Sequence, residues 1–590
     1  MNNKIYKKVA YMAALAGGLM LTGCTSDFLD TVPTDQVSSA TVWTNRSLAD
    51  RVVNGIYERL TWEYRDNPWW TMWDAYTEIE DQDQNWVGGN APILMGSSTA
   101  SSSNYETSWK GFYEGIYRCN DVINNISKVP DMDDKEKGRD IAEAKVMRAW
   151  EYYRANCLWQ GIPIYTENVE ASKANKPRST AEEVWNQVIK DCTEAINEPN
   201  LPDKYAANDA NYGRVTKGAA YMLRGQAYMW QKKYDSAVAD FKKLTTMGYK
   251  LFNDYGSLFT EANEKNDEYI YQYQYTEDDA CGNFFNWTFG NRCSAGSAWD
   301  NYIPNPAFVD SYEEANGKKF NMDDYIPGYS SMKPEARRVY FLRDGLTDAE
   351  KKTEADKGAD MSKYLPNGNE ERIKKIYANR DPRMAANFIT PYSTYVGGVT
   401  GKDITYTMRW PYRGADNAEP YDLRTDVADR FFYLWRKFVY VGTQHTKLQL
   451  SPIDIPVMRY SEALLSLAEA LTEDGKWQEA IPYVNEVRKR AGVALLNSNE
   501  YTQVKDQADM RQRIRDEYGW ELAGENTLYF KELRWGTWAK QKFQVANGMT
   551  EVWGTKKYSN AYQGEYSNKW PIPQTEIERN SNLKQNEGWY

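Results

Sequence analysis

The sequence predicts a mainly α-helical protein. Paired helices stack as in a tetratricopeptide repeat, and a long, loop-rich insertion carries short strands. Apolar residues recur at helical spacing in the first and last parts of the chain. Gly225, Tyr228, Ala237 and Phe241 follow the G-x2-Y…A-x3-F spacing of a tetratricopeptide repeat. From about residue 250 to about residue 440 that period is lost, and Gly, Pro, Asn and Asp punctuate the chain.

Four helices are predicted ahead of the repeat, because apolar side chains recur there every three or four residues. Ser47 is the expected N-cap of the first helix, and Gly161 with Pro163 ends the third. The four helices cover residues 48–60, 109–123, 141–159 and 179–196. Since at least three repeat units must stack to bury a continuous core, the third and fourth helices are candidates for further, degenerate units.

In the repeat pair, small residues alternate with large ones. Gly225 and Ala237 would let two antiparallel helices approach closely, while Tyr228 and Phe241 would fill the groove between them. The same register recurs late in the chain, at Leu464, Leu467, Ala468, Leu471 and Ala480.

The insertion predicts short strands only, at residues 269–275 and 431–441. A loop-rich segment of this length between two parts of a scaffold is usually where function lies. The chain is therefore divided into a leader at 1–23, an N-terminal helical part at 24–250, the insertion at 251–440 and a C-terminal part with the second helical pair at 441–590.

The leader has the pattern of a secretory signal. Lys4, Lys7 and Lys8 precede an apolar run of about 13 residues, which is too short to span a hydrocarbon core of about 30 Å. The run ends in Leu21-Thr22-Gly23-Cys24, which resembles a bacterial lipoprotein box. This resemblance implies cleavage before Cys24, acylation of Cys24 and a body tethered to a membrane face. The alternative is an ordinary secreted protein with an accidental cysteine.

The charge of the chain argues against nucleic acid as a partner. The 590 residues include 72 Lys and Arg against 83 Asp and Glu, a net charge of −11. Without the three leader lysines the balance is 69 against 83, a net of −14. An acidic body without a basic stripe repels phosphate backbones.

Cysteine and histidine usage excludes several chemistries. His445 is the only histidine and no CxxC occurs, which excludes a His/Cys zinc site and disfavours Ser-His or Cys-His catalysis. Of six cysteines, five remain if Cys24 is acylated, so they cannot all pair internally. Cys281 and Cys293 bracket an aromatic loop, and the sequence leaves a disulfide between them open. The others, Cys119, Cys157 and Cys192, are expected in the core.

Aromatic usage favours half-exposed surfaces. The chain holds 22 Trp and 45 Tyr but only 17 Phe. Trp and Tyr carry a polar tip and suit clefts and interfaces, where flat rings can also stack on sugar rings.

Short motifs occur in a fixed order along almost the whole chain. They are Asp27-Phe28-Leu29-Asp30 after Cys24, Arg148-Ala149 before Gly161-Ile162-Pro163, Gly213-Arg214-Val215-Thr216, Asn379-Arg380-Asp381-Pro382-Arg383, Pro456-Val457-Met458-Arg459-Tyr460-Ser461-Glu462 before Ala468-Glu469-Ala470, Asn485-Glu486-Val487-Arg488-Lys489-Arg490-Ala491-Gly492, Glu521-Leu522-Ala523-Gly524-Glu525, Leu533-Arg534-Trp535-Gly536, Pro571-Ile572-Pro573 and Gln585-Asn586-Glu587-Gly588-Trp589. Together they resemble the SusD/RagB family, which comprises surface-exposed, nutrient-binding lipoproteins of the outer membrane in Bacteroidetes-type bacteria.

Most of these motifs are expected to serve the scaffold. Buried ion pairs that hold helices in register are favoured over ligand contacts at Arg459, Glu462, Glu469, Arg488 and Arg490. The run 380–383 is interpreted as a pinned turn. At 528–531 the sequence is Leu-Tyr-Phe-Lys, where the family usually shows an Arg and a Tyr-Asp step, so a structural ion pair is expected to differ there.

The resemblance implies a non-catalytic, outer-membrane glycan-binding lipoprotein that delivers oligosaccharide to a SusC-like TonB-dependent transporter. Binding residues vary between family members, so candidates are taken by position from two aromatic regions. One spans residues 69–90 and the other 284–302. Indole faces stack on sugar rings, and Asp and Asn side chains bind hydroxyls. The predicted ligand contacts are Trp73, Asp74, Trp86, Asn90, Trp287, Trp299, Asp300 and Tyr302.

Two features of the first region leave alternatives open. Trp69, Trp70 and Trp73 have the i, i+3, i+4 spacing of a buried helix face. Asp81, Asp83 and Asn85 alternate as in the first half of a calcium loop, although Trp86 replaces the turn glycine. Position twelve is also not Glu but Pro92. No cofactor is expected, with a structural calcium ion at these three residues as the alternative.

Two rival functions are considered. A surface glycoside hydrolase would need two carboxylates across a cleft, for which Glu80, Asp81 and Asp300 are the candidates. A protein-interaction module of a transporter, without direct glycan binding, would use the concave face of the helical repeats.

Overall fold

A computed structural model describes residues 42–66, 68–83, 89–278, 281–413, 417–425 and 430–589. The predicted leader, Cys24, Asn85 and Trp86 lie outside these ranges. Within them, no helix is both long and apolar enough to cross a membrane.

The predicted helix-rich architecture with few, short strands is confirmed. The longer helices are α1 (Arg46–Leu60), α2 (Ser103–Asn125), α3 (Asp134–Trp159), α4 (Ala181–Asn197), α5 (Lys217–Trp230), α6 (Tyr234–Leu244), α7 (Asp348–Asp356), α8 (Asn369–Tyr377), α9 (Tyr460–Glu473), α10 (Trp477–Ala491), α11 (Gln507–Leu522) and α12 (Leu528–Trp535). Short helices lie at Trp62–Arg65, Pro68–Thr71, Ala91–Leu94, Phe285–Phe289, Pro306–Val309, Pro334–Arg337, Pro382–Asn387, Trp538–Lys540 and Gln574–Arg579.

Capping residues define the helix starts. Thr180 and Glu183 form a capping box at α4, and Asp133 with Glu136 forms one at α3. The N-cap predicted for α1 was wrong by two residues, because the Asn45 side chain accepts the Leu48 N–H instead.

The helices stack in one row in the order α2, α3, α4, α5, α6, α9 and α10. The last two come from beyond the insertion, so the row closes only when distant parts of the chain meet. As predicted, Gly225 lets α5 and α6 approach closely: a Cβ atom there would lie 2.5 Å from the Phe241 ring.

Eight short strands pair antiparallel as four two-stranded sheets in the described residues. The pairs are β1 (Glu80–Gln82) with β3 (Tyr302–Pro304), β2 (Tyr269–Tyr273) with β8 (Ile455–Arg459), β4 (Phe388–Ile389) with β7 (Leu434–Trp435), and β5 (Thr394–Gly397) with β6 (Ile404–Thr407). Of the strand predicted at 431–441, only β7 (Leu434–Trp435) forms. Two of these pairs join the insertion to the segments on either side of it.

A buried charge network joins the insertion to the C-terminal helices. We define it as Asp381, Arg383, Glu268, Arg459, Arg488, Arg490, Glu517, Glu521 and Glu525. The Arg383 guanidinium lies 2.7 Å from Asp381, 2.6 Å from Glu517 and 3.0 Å from Glu521. Burial would raise the pKa of Glu521, but Arg490, Arg459 and Arg383 outweigh it and hold that pKa well below its ordinary value.

The predicted scaffold role of the motif residues is confirmed by their partners. Arg459 pairs with Glu525 at 2.7 Å and Arg488 with Glu517 at 2.9 Å, all with buried side chains. At the position where the family pattern departs, Lys531 lies 2.7 Å from Glu462. A lysine therefore supplies the buried cation there.

Candidate functional site

The structure brings the two predicted aromatic regions together. Strands β1 and β3 pair antiparallel, with Gln82 opposite Tyr302. Beside this pair, the rings of Trp69 and Trp287 meet edge to face at 5.0 Å. Side chains that are 218 positions apart in sequence thus share one surface.

We define the aromatic patch as Trp69, Phe284, Trp287 and Trp299, all of which are half-buried. Trp287 is its centre, with Trp299 at 5.1 Å, Phe284 at 5.3 Å and Trp69 at 5.0 Å. Edge-to-face and tilted arrangements leave part of each ring open to solvent. The patch offers hydrophobic faces in several orientations.

Buried groups hold the patch in place. Trp287 lies on the helix Phe285–Phe289, whose end residues Phe285 and Phe289 are fully buried. The Asn283 side chain accepts the Phe285 N–H, and the Asn286 side chain accepts the Tyr440 N–H. A rigid support of this kind pre-organises the half-exposed rings.

The loop from Gly290 to Asn301 folds back on that helix and carries Trp299. The Trp299 N–H donates to the Trp287 carbonyl at 3.1 Å, and the Asp300 N–H donates to the Gly290 carbonyl at 2.7 Å. Ser297 and Asp300 have positive φ angles of 58° and 39°. Residues other than glycine rarely adopt positive φ angles, and backbone strain of this kind concentrates at functional sites.

Two buried polar groups, the Trp287 indole N–H and the Asp300 carboxyl, lie at the patch. The Trp287 indole N–H is buried and has no hydrogen-bond partner within the described chain. Burial raises the pKa of Asp300 well above its ordinary value, with Arg292 opposing and Asp83 adding to that rise. Burial and the nearby Asp83 thus disfavour the charged form of this carboxyl.

Trp86 lies in the segment 84–88, outside the described residues. Both neighbours of that segment border the aromatic patch. The Asp83 N–H donates to the Asn301 carbonyl at 2.8 Å, and a Cβ atom on Gly89 would lie 2.0 Å from the Trp69 carbonyl oxygen. Ligand contact by Trp86 stays a prediction.

Asn90 and Tyr302, two of the predicted ligand contacts, do not lie on the open surface. Both side chains are fully buried. The Asn90 amide donates to the Met72 carbonyl at 2.8 Å, and the Tyr302 hydroxyl lies 3.4 Å from the Asn90 oxygen. These two residues support the segment under Trp69 rather than the open surface.

Trp73 and Asp74 are also fully buried, which favours the core alternative that the spacing of Trp73 left open. The Trp73 indole N–H donates to Glu63 at 3.2 Å. One Asp74 carboxylate oxygen accepts the backbone N–H groups of Gly524 and Asn526, at 3.0 and 3.1 Å. Asp74 therefore fastens this region to the C-terminal part of the chain.

Asp74→Asn should remove part of the pH dependence of stability. Burial raises the pKa of Asp74 to about 7, and the hydrogen bonds from Asn526 and Gly524 offset this only in part. A raised carboxyl pKa stabilises the fold below the ordinary value of 3.8, and this stabilisation is lost as the pH rises through about 7. Asparagine mimics the neutral acid. At about pH 8 the free energy of unfolding of the Asp74→Asn variant should exceed that of the wild type by up to about 4 kcal/mol.

Urea denaturation near pH 4 and near pH 8 measures this difference, which should almost vanish at the acidic end. Asp356→Asn is the matched control, because the side chain of Asp356 is 64% exposed. Parallel pH profiles for the Asp74 variant and the wild type would show that Asp74 is not the titrating group.

Two of the carboxylates that were candidates for a hydrolase site, Glu80 and Asp81, are buried. Glu80 is fully buried and accepts the Trp435 indole N–H at 2.9 Å. Asp81 accepts from Lys542 at 2.8 Å and from Asn305 at 2.8 Å. Neither carboxylate lines an open cleft, so the paired-carboxylate alternative loses both of these candidates.

The two carboxylates proposed for a calcium site already pair with lysine side chains. Lys542 faces Asp81, and Lys557 lies 3.2 Å from Asp83. Asn85 is outside the described residues. Within the described ranges no group of three or more His, Cys, Asp or Glu residues is placed to hold a metal ion.

Cys281 and Cys293 are not joined by a disulfide. Cys281 is exposed, whereas Cys293 is buried and its sulfur lies 3.4 Å from the Arg424 backbone nitrogen.

Sequence reasoning missed Arg292, a half-buried cation beside Asp300. Its place in the run Gly290-Asn291-Arg292, between turn residues, was the one available signal. Trp69 and Phe284 lie in the two predicted aromatic regions, but they were not among the predicted ligand contacts.

Two family profiles match the chain. The profile described as "SusD family" matches residues 210–589, and the profile described as "Starch-binding associating with outer membrane" matches residues 27–229. The chain is 24% identical over 548 residues to SusD-like protein P38 of Formosa agariphila, covering 90% of this chain and 92% of that protein. It is 23% identical over 487 residues to the starch-binding protein SusD of Bacteroides thetaiotaomicron, covering 79% and 75%.

Solved structures share the fold at low sequence identity. A SusD-like carbohydrate-binding protein from Bacteroides fragilis superposes with a TM-score of 0.73 at 21% identity, covering 92% of this chain and all of that chain. A laminarin-binding SusD-like protein superposes with a TM-score of 0.63 at 20% identity, covering 93% and 100%.

Proposed function

The chain belongs to the SusD family. From this premise we propose that it is a non-catalytic surface lipoprotein that captures oligosaccharides and delivers them to a SusC-like TonB-dependent transporter. Acylated Cys24 would moor it to the outer membrane. The proposal has three parts, namely glycan capture, membrane mooring and delivery, and different observations support each.

Glycan capture rests on the aromatic patch. Three half-buried rings surround Trp287, whose buried indole N–H has no partner within the described chain. Sugar rings present apolar C–H faces to indoles and hydroxyls to polar groups, so they match a surface of this kind. The neighbouring Asp300, whose pKa is raised mainly by burial, is a poor partner for anionic groups.

The names of relatives support the same ligand class. One relative is described as starch-binding and one structural neighbour as laminarin-binding. Both named ligands are neutral polysaccharides, in agreement with the acidic net charge of this chain. We extend glycan binding to this protein on that basis.

The mooring and delivery parts rest on the lipoprotein box at Cys24 and on the profile described as associating with the outer membrane. The row of stacked helices offers a further surface, of the kind that helical-repeat proteins use to hold a partner. Co-purification of a large β-barrel with the protein from membranes is the matching test. Its consistent absence would contradict delivery while leaving glycan capture intact.

A glycan array tests the capture proposal directly. The purified protein, with Cys24→Ser to avoid acylation, should retain neutral polysaccharides, and the same incubations should release no new reducing ends. An array without any bound glycan would contradict the proposal. Release of reducing ends would favour the hydrolase alternative instead.

A further inference from the structure

A groove that shares no lining residue with the aromatic patch lies beside the helix Trp62–Arg65. It has a volume of about 480 Å³, within the range of small-molecule sites. Its walls come from α1, from the helix Trp62–Arg65, from the segment before α5 and from β2. We define the tyrosine groove by the residues Tyr57, Tyr212, Tyr271, Gln272, Tyr273 and Tyr275.

The groove contains buried polar groups that lack partners within the described chain. The Tyr275 hydroxyl has none, although this side chain is only 6% exposed. The Gln272 carbonyl oxygen likewise has none, while its amide donates to Asp454 at 2.8 Å. A buried hydroxyl and a buried carbonyl without partners are costly unless a ligand or water supplies the missing hydrogen bonds.

The charged residues of the groove are already paired. Arg65 lies 2.5 Å from Glu58, and Glu58 also meets Arg118 at 3.1 Å. The Arg214 guanidinium donates to Glu143 at 3.0 Å. A phosphate or a carboxylate would have to compete for these cations, whereas a neutral polyhydroxyl ligand would not.

The tyrosine groove and the aromatic patch are neighbours. Arg65 lines the groove and Trp69 belongs to the patch, so four residues of chain, at most about 14 Å, separate them. Beneath the surface, the buried Tyr64 ring lies 6.1 Å from Tyr273 of the groove and 5.2 Å from Phe285, on the helix that carries Trp287. Because Arg65 and Trp69 are this close, an oligosaccharide longer than the patch can extend to the groove.

We propose that the tyrosine groove is a second sugar subsite, which takes further hexose units of a neutral oligosaccharide whose other end stacks on the aromatic patch. This inference rests on the proposed glycan capture. It adds that binding depends on chain length, because only a long oligosaccharide can occupy both places.

The first test compares maltotriose and laminaritriose with maltoheptaose and laminariheptaose by calorimetry. Tyr275→Phe removes one hydroxyl and keeps the ring, so affinity for a heptasaccharide should fall about threefold to tenfold. Affinity for the trisaccharides should not change. Tyr501→Phe, an exposed tyrosine elsewhere, is the matched control and should change neither.

The second test measures directly whether a bound sugar occupies the groove. Cys281 lines the groove and is exposed, while the other cysteines in the described residues are buried. In the Cys24→Ser protein, a bound heptasaccharide should slow alkylation of Cys281 by N-ethylmaleimide, and a trisaccharide should not. Tyr275→Phe should weaken this protection.

The outcomes separate the two proposals. In one outcome, Trp287→Ala weakens binding of all four sugars, but neither the effect of Tyr275→Phe nor the alkylation of Cys281 depends on the length of the sugar. The groove is then not a subsite, and glycan capture still stands. If neither sugar series binds while the array retains another glycan, the groove as a site for glucose chains is overturned. If nothing binds in either assay, both proposals fail together.

Discussion

Replacing Arg383 with methionine should lower the free energy of unfolding by about 3–5 kcal/mol, the cost of removing one partner from a buried ion pair. The Arg383 side chain is fully buried and faces Asp381, Glu517 and Glu521. Methionine keeps most of the stem but leaves those carboxylates with less compensating charge in a medium that solvates them poorly. Urea denaturation followed by circular dichroism measures the loss.

Arg579→Met is the matched control for this experiment. Arg579 also forms a 2.7 Å ion pair, with Glu576, but its side chain is 70% exposed. Exposed pairs contribute about 0–1 kcal/mol, so the same substitution should be nearly neutral there. Equal effects of the two substitutions would mean that burial does not set the strength of the network.

Trp287→Ala should weaken glycan binding at least about thirtyfold, corresponding to about 2 kcal/mol, because a central aromatic residue usually dominates such a contact. Trp287 touches the three other rings of the aromatic patch, so its removal also loosens their arrangement. Calorimetry with the glycan that the array identifies measures the change. Trp287→Phe keeps an aromatic face but no N–H, and it should fall between the alanine variant and the wild type.

Trp477→Ala provides the control for lost ring volume. Trp477 is also half-buried, but it lies at the start of α10, in the helical row. Its variant should bind glycan as the wild type does, even if stability falls. Unchanged affinity in the Trp287 variant would place the ligand elsewhere on the molecule and would remove the main support for the proposed capture.

The helical framework could be predicted because its signals are local. Apolar period, capping residues and breakers lie within one helix, so α3 and α4 were placed within a few residues at their ends near Trp159 and Ile196. The close approach at Gly225 was also predictable, since repeat spacing fixes which side chain it must meet.

The candidate site was harder to predict, because exposure depends on partners far along the chain. Asp74 is closed off by Gly524 and Asn526, and Tyr302 is covered through strand pairing with residues near Gln82. No local pattern announces such contacts. Trp287 and Trp299 remained half-exposed because the helix and the loop that carry them present these rings outward.

The pairing of β1 with β3 also limits the order in which the molecule can assemble. Gln82 can pair only after Tyr302 has been synthesised. Likewise, the Trp159 indole N–H can donate to the Pro571 carbonyl only after Pro571 has been synthesised. Contacts of such long sequence separation form slowly, because large loops must close first. An emerging chain would hold its early tryptophans without their final neighbours until nearly the last residue is made. In that interval the unpaired rings are exposed hydrophobic surface, which makes the incomplete chain prone to aggregation.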